Sequence, residues 1–65
     1  MLDIRVGDIL DIFFIDNTFY YNAKVISVLN EGQGLELRLG NGMVVMIDIN
    51  CIYNFRLKSR YVYLG

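Results

Sequence analysis

Four aspartates, Asp3, Asp8, Asp11 and Asp16, stand in the first quarter of the chain against one basic residue, Arg5. A pair of carboxylates is the simplest general acid–base device, one kept protonated while its neighbour stays ionised. On an extended strand, however, side chains alternate, and a spacing of three sends Asp8 and Asp11 to opposite faces. They read as solubilising charges at a strand start. Cys51 is the only cysteine and the chain has no histidine. A thiol nucleophile needs an adjacent base, and none is supplied, so Cys51 reads as a small buried hydrophobe. The aspartates lack the loop spacing of a Ca²⁺ site, and no glycine motif cradles a phosphate. These residues predict no catalytic site, no metal and no cofactor.

Binding chemistry has more material. Arg56, Lys58 and Arg60 hold half of the 6 basic residues and run into Tyr61 and Tyr63. Cations that seek phosphate, interleaved with rings on which bases stack, are the ingredients of a single-strand nucleic-acid platform. An acidic pI near 5.0 opposes that reading, since nucleic-acid domains usually carry a clear basic excess. The period-2 placement of Tyr61 and Tyr63 also suits packing of a terminal strand. Acidic start and basic end together form a charge asymmetry that can steer head-to-tail assembly or mark a binding edge.

The leading binding chemistry is apolar. The 65 residues are 55% hydrophobic with a mean hydropathy of +0.41, more than one small barrel can hide. A chain of this size forms one domain and buries only about 60% of the surface its unfolded chain exposes. With no disulfide or metal expected, self-association remains as the means of support. Phe13, Ile15, Phe19, Tyr20, Val44 and Met46 are the residues expected to meet a protein partner or a second copy, aromatics and methionine serving as anchors. Met43 and Met46 lie three apart, so on a strand only one of them faces outward.

The elements that position these residues are strands. Leu35, Leu37 and Leu39 alternate with Glu36 and Arg38, then Gly40-Asn41-Gly42 leads into Met43-Val44-Val45-Met46-Ile47. That is a β-hairpin, its Asn-Gly pair suited to a primed turn with two positive-φ positions. Upstream, residues 8–15 read as a strand with Leu10, Ile12 and Phe14 on one face and Ile9, Asp11, Phe13 and Ile15 on the other. Asp16-Asn17-Thr18 turns the chain into a long strand over 19–29, in which Tyr21, Ala23, Val25 and Ser27 share a face. Asn30-Glu31-Gly32-Gln33-Gly34 joins it to the hairpin. Residues 48–58 leave two options open: a tight turn at 48–50 and a strand from Cys51, which aromatic and β-branched residues favour, or a helix capped by Asp48. Residues 58–65 form a tail or a short sixth strand.

Val6-Gly7-Asp8-Ile9, followed by Phe19-Tyr20-Tyr21-x-Ala23-Lys24-Val25-Ile26-Ser27-Val28, resembles the opening of Tudor and related SH3-like barrels. There a Gly-Asp pair starts the first strand and an aromatic-x-Ala-x-Val run forms the second. Asn50-Cys51-Ile52 resembles the short turn before the last strand of that architecture. The resemblance implies a reader of methylated peptides with an aromatic cage, to which Phe19 and Tyr20 correspond. The family's acidic-aromatic segment after the third strand stands here as Leu39-Gly40-Asn41-Gly42, which lacks those cage groups.

The expectation is therefore an all-β, five- to six-stranded antiparallel SH3-like barrel over residues 1–65, its core about 6–57. It is read as a non-enzymatic interaction module or small regulatory or assembly subunit, a homo-oligomer or a binder of another protein. Nucleic-acid binding through Arg56, Lys58, Arg60, Tyr61 and Tyr63, or Tudor-like reading of a modified peptide, are the alternatives. The apolar runs at 12–15 and 43–47 fall far short of the ~20 residues of a spanning helix. With no apolar leader visible, a cytoplasmic setting is expected.

Overall fold

Leu10, Ile12, Ala23, Val25, Leu35 and Leu37 are all but fully buried, and they sit on strands that are neighbours in one antiparallel sheet. The computed structural model describes residues 3–60. Its strands are β1 (Ile9–Phe14), β2 (Phe19–Leu29), β3 (Gly34–Arg38), β4 (Val44–Asp48) and β5 (Ile52–Ser59), in the spatial order β4-β3-β2-β1-β5. The fold is all-β, as the alternating pattern requires. Tyr61, Tyr63 and the expected sixth strand lie outside the described residues.

Val45 and Ile47 of β4 and Ile52 and Phe55 of β5 pack on that same core. In a flat sheet, strands about 4.8 Å apart would put these two edges ~19 Å from each other. The sheet must therefore curl, yet β4 and β5 do not pair, so it stays open where a closed barrel was expected. Irregular register in β2 supplies the bend. Leu10 pairs with Ala23 but Ile12 pairs with Tyr20, so Tyr21 and Asn22 together oppose Asp11. Asn22 takes φ +56, the left-handed conformation that asparagine tolerates. A second shift lies between Val25 and Ser27.

These bulges correct the simple alternation along β2. Ala23 and Val25 share the inward face, but Tyr21, expected on that face with them, is exposed and Tyr20 packs on the core, because the extra residue reverses the faces on either side of it. The β3–β4 turn also differs from the expected primed pair: Gly42, at φ +87, is its only positive-φ residue. Leu39 N–H donates to the Met43 carbonyl, Gly42 N–H to the Leu39 carbonyl, and Met43 N–H to Asn41 Oδ1. This is the turn-plus-bulge loop, in which asparagine folds the turn and glycine supplies the left-handed step. At residues 48–58 the strand prevails. A 3-10 turn, Ile49–Cys51, is capped by Asp48, whose Oδ1 accepts the Asn50 N–H at 2.8 Å, and β5 follows directly.

Candidate interaction site

Pairing β1 against β5 brings the acidic start of the chain onto its basic end. Asp11 lies opposite Arg56, and its carboxylate has Arg56 Nη2 at 3.7 Å and Lys58 Nζ at 3.6 Å. Asp11 Oδ1 also accepts the N–H of Asn22, the residue that the β2 bulge would otherwise leave unpaired. Asp8 accepts a two-pronged hydrogen bond from Arg60, Nε to Oδ1 and Nη2 to Oδ2, both at 2.9 Å. Its Oδ2 also takes the N–H of Arg5, closing the turn that Gly7 makes at φ +96. Arg60 further reaches the Asp3 carbonyl. The Arg60 guanidinium, with lesser help from the Arg5 backbone, holds the Asp8 carboxyl below its ordinary range, and Asp8 in turn raises Arg60.

Asp8 and Asp11 are thus 1% and 2% exposed, where solubilising charges were expected. Burial is tolerable because each carboxylate is paired and hydrogen-bonded. The missed signal is long-range: aspartates before and within the first strand, and cations at alternate positions of the last. The charge asymmetry closes within the chain, and Arg56, Lys58 and Arg60 all face carboxylates. Among the described residues no cluster of His, Cys, Asp and Glu could hold a metal, and no helix is long and apolar enough to cross a membrane.

The apolar candidates separate into two sets. Phe13 and Phe19, directly paired across β1 and β2, pack with Tyr21 on the convex face at ring separations of 4.8 to 6.5 Å. Phe19, Tyr21 and nearby Tyr53 are exposed. Ile15, Tyr20 and Met46 instead line an open groove of about 460 Å³, completed by Phe14, Ile47, Thr18, Asp16, Asp48 and Cys51. Tyr20 stands edge-on to Phe14 at 5.3 Å, which sets the groove wall. Asp16 accepts from both the hydroxyl and the N–H of Thr18, and the hydroxyl bond chiefly lowers its pKa, so the groove rim is anionic at neutral pH.

Phe19 and Tyr20 therefore serve different surfaces and do not form one cage. Cys51 is exposed at the groove, where a buried thiol was expected, because the 3-10 turn lifts it off the core. Val44 is exposed beside Met46 on β4. Tyr21 and Tyr53 were not singled out from the sequence; the bulge in β2 and the irregular register of β5 at Tyr53 turn them outward. No family model matches this chain, and neither does any curated protein or solved structure.

Proposed function

We propose that the protein is a non-enzymatic interaction module that acts by association with a protein, either a partner or a second copy. One observation carries this reading: large apolar side chains are exposed in contiguous groups, including Ile15, Met46, Phe19, Tyr21 and Tyr53, the last at 77%. Scattered apolar exposure is ordinary, but a continuous patch with aromatic and methionine anchors is the composition of an interface. The strand order and the 3-10 turn before β5 support the SH3-like reading of the fold, with the barrel left open.

A second reading rests on the groove. Tyr20 and Phe14 beside Asp16 and Asp48 place ring faces and carboxylates together, which suits a cationic side chain of a partner peptide. Nucleic-acid binding through the basic end has less support, since phosphates would compete with Asp8 and Asp11 for the same cations.

The test is site-specific photo-crosslinking from Ile15, Phe19 and Tyr53 of the intact chain, in the cells that make it and at high concentration in isolation. Discrete protein adducts from at least one position are expected. Absence of any adduct at all three, in a chain that sediments as a monomer, would overturn the reading. A salt series with single-stranded RNA and DNA checks the nucleic-acid alternative, which requires binding that weakens as salt rises.

A further inference from the structure

The hydrogen bonds of the β3–β4 ladder determine which main-chain groups of β4 are free. Leu39 N–H donates to Met43 and Ile49 N–H to Gln33, and Leu35 and Leu37 lie opposite Ile47 and Val45. In an antiparallel ladder bonded and non-bonded pairs alternate. Residues 43, 45, 47 and 49 therefore bond to β3, and the N–H and C=O groups of Val44, Met46 and Asp48 point away from the sheet. Among the described residues nothing pairs with this edge.

Edges of this kind are normally guarded by lysine, proline or a bulge. β4 reads Val-Val-Met-Ile-Asp and runs against β3 in unbroken register. It has no such guard. Two of its three outward side chains are also apolar, with Val44 45% and Met46 72% exposed, the third being Asp48 at the strand end.

We propose that β4 is the seat of a symmetric dimer, in which β4 of a second copy adds antiparallel to it with Met46 on the twofold axis. The inference rests on the association reading above and names its surface and occupant. The register is self-complementary. The free groups of Met46 meet those of Met46 in the other copy, and those of Val44 meet those of Asp48, so every outward N–H and C=O finds a partner. Side chains agree with it: Met46 packs on its own copy, and Val45 faces Ile47 on the concave side. Asp48 lies across from Val44 and not from a second carboxylate, which leaves the two Asp48 groups about 14 Å apart along the strands at ~3.4 Å per residue. The groove lined by Phe14, Ile15 and Tyr20 runs beside Met46, Ile47 and Asp48, so the added strand has an apolar bed as well as a hydrogen-bonding edge.

Two single substitutions at exposed positions separate this geometry from unspecific apolar contact. Met46→Lys sets two ammonium groups against each other on the axis and should weaken dimerisation by about a hundredfold or more. Val44→Lys removes similar apolar surface but sets an ammonium opposite Asp48 of the other copy, and should leave the dimer intact or tighter. Sedimentation velocity reads both, with circular dichroism to verify folding, and amide exchange should show concentration-dependent protection at Val44, Met46 and Asp48. A wild-type monomer at all concentrations overturns the dimer whatever other proteins the chain binds. A dimer that survives Met46→Lys, or a ring of more than two copies, overturns this seat for it while association itself stands.

Discussion

β4 and β5 both end the sheet, yet they treat their exposed position in opposite ways. β5 carries Arg56 and Lys58 and breaks register with β1 twice, and its cations are anchored on the buried carboxylate of Asp11. Charge and irregular register both discourage a further strand from adding. β4 keeps unbroken register with β3, is apolar up to Asp48 at its end, and is open at Val44, Met46 and Asp48. In one small sheet, then, one edge is closed by electrostatics and the other is left able to pair. The difference teaches that the basic residues of the C-terminal strand serve the fold, which leaves the apolar side of the molecule for the association proposed above.

The largest expected effect comes from breaking the closed end. Asp8→Ala strands the Arg60 guanidinium and the Arg5 N–H, and should destabilise the protein by about 2 kcal/mol in urea unfolding. That is below the ~3–5 kcal/mol for a fully buried pair, because Arg60 keeps contact with water. In a domain of this size such a loss would lower Tm by roughly 8–16 °C. Unchanged stability would mean that the clasp is incidental.

Acid sharpens the same point. The folded state holds the Asp8 carboxyl below its ordinary 3.8, chiefly through Arg60, so near that pH the unfolded chain binds more protons than the folded one. Its contribution is complete above about pH 5 and is lost as pH falls through 3.8 toward the lower folded value. Urea midpoints measured from pH 6 to pH 2 should fall in that window, and Asp8→Asn should flatten part of the fall.

At the open end the effects on stability are smaller. Gly42→Ala meets no atom within 4 Å but must hold φ +87, so it should cost about 1 kcal/mol through the β3–β4 loop, read by thermal melting. Met46→Lys should change monomer stability by no more than about 0.5 kcal/mol, since the side chain is exposed. Its large effect is on sedimentation. If it instead unfolds the protein, β4 is less free than its ladder implies.

Much of the fold was legible in the order of residues. Strand boundaries in β2 followed from its β-branched and aromatic run, β3 from leucines spaced by two before the glycine-asparagine loop, and β4 from the apolar run after it. The core face of β1 was readable for the same reason. What misled was the assumption of unbroken alternation: a bulge adds one residue, reverses the faces beyond it, and sent Tyr21 outward and Tyr20 inward. The site was legible in part. Ile15, Tyr20 and Met46 do line one groove, while Phe13 and Phe19 belong to another surface, because Phe19 and Tyr20 are strand neighbours that point to opposite faces and β1 ends at Phe14, which frees Ile15 from the alternation that would keep it beside Phe13.

By itself, the sequence determined an all-β chain with more apolar surface than a domain of its size can bury, since period and composition are local quantities. Only the tertiary structure decided the fate of the charges. Asp8 and Arg60 are 52 residues apart, and nothing local distinguishes a solvated aspartate from a buried one. Pairing β1 with β5 places carboxylate against guanidinium, and burial there is permitted because each charge already has its partner. It also decided which edge stayed open, since that depends on the direction of main-chain groups, which every residue but proline carries alike.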